Sequence, residues 1–158
     1  MTSFKAMQLF ADQLKRNVIN GNKYKTKVVV TPSSVSEKGV ILKVSLLKTV
    51  PDKTYQAKTK QRTVRLRVQV AGRAESQTGL QQAVELIENL DKYLDSENLR
   101  LEEPIEAANG QSFAKIPNTR IIQTLSPEDS FIDSPDSTSV QDVEDNRTIE
   151  ITIPILEE

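Results

Sequence analysis

At 158 residues the chain fits one ordinary domain, able to bury about two thirds of the surface its unfolded form exposes, and a second domain is not expected. It has no cysteine and no histidine, which excludes disulfides, thiolate zinc sites and cysteine nucleophiles and removes the commonest general base and metal ligand. Net charge is −1, yet residues 1–73 hold 16 Lys/Arg against 3 Asp/Glu while residues 74–158 hold 5 against 19.

In chain order, Phe4, Met7, Phe10, Ala11, Leu14 and Val18 recur at helical spacing and predict an amphipathic helix. The polar face of this helix, with Lys5, Asp12, Lys15 and Arg16, is sparse and of mixed sign, so packing on the protein's own sheet or on a neighbouring subunit is preferred over a membrane surface. No apolar run approaches the roughly 20 residues needed to cross a bilayer, and the start is too polar for a secretory signal. Asn20-Gly21-Asn22 stops the helix. Lys27 to Thr31 predicts a short strand, and Gly39 to Val50 a longer one closed by Pro51-Asp52.

Residues 51–62 form a basic arm or hairpin tip. Lys53, Lys58, Lys60 and Arg62 flank Tyr55, and Arg65, Arg67 and Arg73 follow, making seven cations and no anion between residues 53 and 73. One aromatic among so many cations is thin provision for stacking nucleic-acid bases, although the charge itself suits a phosphate backbone.

Residues 62–94 are the centre of the sequence. Val64, Leu66, Val68 and Val70 alternate with Arg65, Arg67 and Gln69, the mark of a strand with one buried face. Leu80, Ala83, Val84, Ile87, Tyr93 and Leu94, with Leu86 and Leu90 beside them, stripe a helix. Residues 71–77 read as the polar loop between the two, and Thr78 with Gln81 as a capping box. Glu85, Glu88, Asp91 and Asp95 share a face of this helix at the spacing a metal or acid-base site needs, but with no opposing cluster the face reads as solvated.

Asp95 to Asn98 is a turn, Leu99 to Glu102 alternates briefly before Pro104 stops it, and residues 105–117 suggest a helical turn around Ile105 and Ala107-Ala108 that ends at Asn109-Gly110. Thr119 to Leu125 is strand-like. Residues 126–146 carry seven acidic groups and no basic one, with Pro127 and Pro135 among many serines, and read as a long acidic loop or ragged edge strands. Phe131, Ile132, Val140 and Val143 within it predict docking, either on the same domain or on a partner. Asp133, Asp136 and Asp142 lack the spacing and the turn glycine of a calcium loop. The sequon Asn146-Arg147-Thr148 is a chance match. Thr148 to Ile155 alternates cleanly as a strand, and Pro154 places it at an edge or a terminus.

The expected fold is α+β: a single domain spanning 1–158, a mainly antiparallel sheet with two main helices on one face, and long loops. Arg65, Arg67 and Gln69 belong to the other face. No phosphate loop, serine elbow or triad is present, so an enzyme is not expected, nor a metal or cofactor. For the charge halves, either folding mixes the two signs or a basic and an acidic surface face different ways and meet on neighbouring copies.

The stretch VRLRVQVAGRAESQTGLQQAVELIENLDKYL and the following LRLEE, residues 64–94 and 99–103, resemble the neck and head-tail joining proteins of tailed bacteriophages, and among them are most similar to tail terminators. The resemblance implies a virion structural protein assembled in the host cytoplasm. It would form a homo-oligomeric ring, six-membered in that family, that caps the tail tube, stops its growth and joins it to the neck. The partners implied are other copies of the chain, the tube and neck or connector proteins, and the sheath, with DNA only passing through the lumen. That family offers no catalytic residues to carry over. The expected contact residues are Lys53, Tyr55, Lys58, Lys60, Arg62, Arg65 and Arg67 in the basic segment and Asp129, Phe131, Asp133, Asp136 and Asp142 in the acidic one. The alternative reading is a nucleic-acid-binding module that uses the 53–73 segment.

Overall fold

A computed structural model describes residues 1–19, 28–30, 40–51, 61–74, 76–107, 110–125, 131–132 and 141–154. Helix α1 (Ser3–Leu14) starts at Thr2, whose hydroxyl accepts from the Lys5 amide at 3.1 Å, and runs into a π-helical turn at Lys15–Ile19. Strands β1 (Val28–Val30), β2 (Val40–Pro51) and β3 (Gln61–Ala74) follow, then helix α2 (Gln77–Leu94). The remaining strands are β4 (Glu102–Ala107), β5 (Gly110–Lys115), β6 (Arg120–Leu125), β7 (Phe131–Ile132) and β8 (Gln141–Pro154).

The main sheet has the order β1-β2-β3-β8-β6, with β7 also on β8. Every pairing is antiparallel except β1 with β2. The long alternating strand expected at residues 64–70 is central, flanked by β2 and β8. Its even-numbered side chains Val64, Leu66, Val68 and Val70 are fully buried beneath the helices, together with Leu42, Val44, Ile149, Ile151 and Ile153. Each such side chain contributes about 1.5–3 kcal/mol by leaving water. From the helix side Met7, Phe10, Leu14, Leu86 and Leu90 close the same core. The α+β class with both helices on one face is therefore the observed architecture.

Several local expectations are corrected. Phe4 is 51% exposed, because the buried stripe of α1 is centred on Met7, Phe10 and Leu14 and takes in Ala6, Leu9 and Gln13 instead. Residues 71–74 are strand, since pairing with β8 continues to Ala74↔Gln141; Gly72, at φ 147°, holds a backbone angle that a side chain would oppose. The cap of α2 is Ser76, whose Oγ accepts from the Gly79 amide at 3.0 Å, and not Thr78.

Pro104 does not end a strand, and residues 105–107 and 110–117 are not helical. Strands β4 and β5 form a separate two-stranded hairpin in register from Glu102↔Lys115 to Ala107↔Gly110. In a two-stranded ribbon half the amides face outward, so proline's missing N–H is tolerated. The expected acidic loop also ends early, because Gln141–Asn146 is the first half of β8, and β7 docks on it through Phe131↔Glu144 and Ile132↔Val143. Strand β8 is interior, so Pro154 marks its terminus and not an edge.

Candidate interaction surface

Cross-strand partners share a face, so the register defines the uncovered side of the sheet. There Lys43 lies beside Gln69 and Asn146, Ser45 beside Arg67 and Thr148, and Arg65 beside Glu150 and Ile122. Thr63 and Arg120 flank Thr152, and Arg73 pairs with Asp142. Arg65, Arg67, Arg73 and Arg120 are exposed. The Arg65 Nε donates to Glu150 Oε1 at 2.8 Å, and Gln69 Nε2 reaches Glu144 Oε1 at 3.4 Å. By register Lys43, Lys48, Arg65, Arg67, Arg73 and Arg120 thus stand on this face with Asp142, Glu144 and Glu150. As expected, Arg65, Arg67 and Gln69 occupy it.

Arg62 does not join them. Its register with Ile153 places it on the helix-bearing side, in line with Val64 and Leu66, so the basic segment does not present a single surface. Lys53, Tyr55, Lys58, Lys60, Asp129, Asp133 and Asp136 lie outside the described residues. Phe131 is in β7 and Asp142 in β8, next to Arg73, so the two oppositely charged stretches of sequence partly zip together across the central strand pair.

The opposite outer surface is formed by α2. Its buried stripe is Ala83, Leu86, Leu90 and Leu94, which turns Glu85, Glu88 and Asp95 to solvent with Lys92 as the one cation among them. Asp91 is exposed on that face as expected, but it is also paired. Its Oδ1 accepts from Arg147 Nη1 at 2.6 Å, while Arg147 Nε and Nη2 grip Asp145 at 2.8 and 3.4 Å and Gln123 Oε1 lies 3.4 Å away. Asp145 and Arg147 are in the core-facing row of β8 and are 0% and 3% exposed. Burial works to lower the guanidinium's affinity for its proton, but the two carboxylates outweigh it and hold Arg147 above its ordinary value. A permanently charged arginine cannot shuttle protons; the triad fixes α2 to β8.

A second buried polar cluster ties α1 to the rest. Gln13, 1% exposed, donates to Tyr93 Oη at 2.8 Å and to the Arg100 carbonyl at 2.9 Å, and accepts from the Glu102 amide at 2.9 Å. Burial raises the Tyr93 phenol above the ordinary tyrosine value, opposed by the hydrogen bond from Gln13. Arg16 lies 3.5 Å over the Phe113 ring and 3.9 Å from Glu102, which seats the β4–β5 hairpin on the end of α1. An open groove of about 540 Å³ runs along β6, lined by residues 94–100 and 119–123. The side chains there are of mixed sign and converge on no one point.

Sequence reasoning missed Asp145, Arg147 and Gln13. The signal for the first two was parity, since Val143, Asp145, Arg147 and Ile149 continue the odd-numbered row of isoleucines. Among the described residues no group of three acidic side chains is arranged to hold a metal ion, and no helix is long and apolar enough to cross a membrane. The chain matches no protein-family model and no curated protein.

Proposed function

We propose that this chain is a structural assembly protein of the tail-terminator kind, a homo-oligomeric, six-membered ring that caps a bacteriophage tail tube, stops its growth and joins it to the neck, within the virion. The observation that carries the reading is the distribution of charge on a two-layer body: a cationic uncovered sheet face on one side and an acidic helix exterior on the other. Two unlike surfaces pointing in opposite directions suit a heterologous contact, which generates rings when the rotation closes. The likeness of the β3–α2 unit to tail terminators supports the same assignment, and no residues are assigned a catalytic role.

The test is the mass of the purified chain at micromolar concentration together with electron microscopy of the chain alone and added to tails. A closed ring that blocks further tube growth is expected. A monomer with no ring in either setting overturns the proposal.

The alternative, nucleic-acid binding through residues 53–73, has less support. Arg62 faces away from Arg65 and Arg67, and Glu144 and Glu150 stand among the cations that a phosphate backbone would need.

A further inference from the structure

We infer that the uncovered sheet face centred on Lys43 and Arg67 is the docking surface for a second copy of this chain, whose α2 exterior, centred on Glu88, seats on it. The inference deepens the ring reading and rests on it for the closed arrangement, but the contact itself is a property of the chain in solution.

Three observations favour this occupant. Arg67 and Glu88 are both exposed, and neither has a side-chain partner among the described residues. They stand on opposite outer surfaces, since β3 turns its even-numbered side chains to the core and Arg67 away from it, while α2 turns Leu86 and Leu90 inward and Glu88 outward. The sheet face is also not purely basic. Its anions Asp142, Glu144 and Glu150 and the half-exposed Ile122, 38% accessible, would repel or waste a phosphate backbone. They suit a protein surface that offers Lys92 and the partly buried Val84 and Ile87 alongside its carboxylates. Phe131, in register with Glu144, is the one aromatic residue placed on this face among the described residues, a single platform where single-strand binding usually uses several. A copy meets another by unlike patches, leaving one of each free to continue the chain of contacts until it closes.

The test is charge reversal with exchange, read by sedimentation at low and high salt. Arg67→Glu alone and Glu88→Lys alone should each weaken self-association by about tenfold or more, because like charges then face each other. Mixing the two variants in equal amounts should restore it, since every contact in an alternating assembly pairs opposite charges again. The double variant should assemble by itself for the same reason. Both positions are exposed, so circular dichroism and thermal melting should match the native chain.

If the single variants assemble like the native protein, or are weakened without restoration by mixing, this interface is wrong while the ring reading stands. If the native chain is monomeric, both fall. If Arg67→Glu leaves assembly unchanged but abolishes salt-sensitive binding to a short random-sequence DNA duplex, the face belongs to nucleic acid and the inference is overturned.

Discussion

Arg147 Nη1 lies 2.6 Å from Asp91 Oδ1, joining a buried charged side chain of β8 to the exposed side of α2. Its other partner, Asp145, is fully buried at 2.8 Å, and the two bonds are of unequal consequence. The Asp91 side chain is 57% accessible, so water solvates it when the bond is broken, whereas Asp145 has no such recourse.

Replacing Arg147 by methionine should therefore destabilise the fold by about 3–5 kcal/mol, the cost of leaving a buried charge without its partner. Asp91→Asn should cost no more than about 1 kcal/mol. The combined change Asp145→Leu with Arg147→Met should recover most of the loss, because an apolar pair of similar size avoids desolvating either charge. Urea unfolding of the three variants checks the order.

The contrast between this triad and the rest of β8 shows what the sequence makes legible. Val64 to Val70 and Ile149 to Ile153 announce their buried face because every inward position is apolar. Asp145 and Arg147 occupy the same inward row yet cancel each other's charge, so a pattern reader starts the strand only at Thr148 and leaves Asp145 in the polar loop. The helical turn expected near Ile105 fails for a related reason. A two-stranded ribbon with both faces partly wet has no clean period, and Pro104 suggests a stop inside what is a continuous strand. The sheet face with Arg65 and Arg67 was readable from alternation alone. The separation of Arg62 from them was readable too, since it has the parity of Val64.

Gln13 is the single polar side chain of α1 that reaches both the end of α2 and the start of β4. Gln13→Leu should cost about 1–3 kcal/mol for each buried group it leaves unpaired, chiefly the Glu102 amide and the Arg100 carbonyl. Amide hydrogen exchange should quicken at Glu102 well before the core strands respond.

The same cluster predicts an alkaline limit. Tyr93 has its folded-state proton affinity raised above that of the unfolded chain by burial, so unfolding releases a proton once pH exceeds the ordinary tyrosine value of 10.0. The stabilisation is complete below that value and is lost as pH climbs through the higher folded-state one. Phenolate absorbance should show one of the three tyrosines titrating late, and Tyr93→Phe should remove that component together with the associated decline in melting temperature.

The start of α2 separates two readings of its cap. Ser76 accepts from the Gly79 amide, so Ser76→Ala should cost about 1 kcal/mol. Thr78, exposed within the first turn, should be replaceable by alanine with an effect within about 0.5 kcal/mol. Thermal melts of the two variants distinguish them, and equal losses would return the cap to Thr78.

The β4–β5 hairpin offers a test of local against global stability. A lone two-stranded ribbon is marginal in water, so this one depends on what holds it to α1. The guanidinium of Arg16, 3.5 Å above the Phe113 ring, supplies a cation–π contact of about 0.5–2 kcal/mol, while its 3.9 Å approach to Glu102 is too long for a hydrogen bond. Phe113→Leu keeps an apolar side chain but removes the π face, and Arg16→Gln removes the charge. Each alone should speed exchange across Glu102–Ala107 and Gly110–Lys115 by roughly tenfold and leave the amides of β3 unchanged, and the double variant should add little beyond either single one. Additive effects would mean that the two side chains support the hairpin separately, and no local change would mean that the Gln13 clasp and the Ile116 amide bond to the Leu101 carbonyl at 2.8 Å hold it unaided.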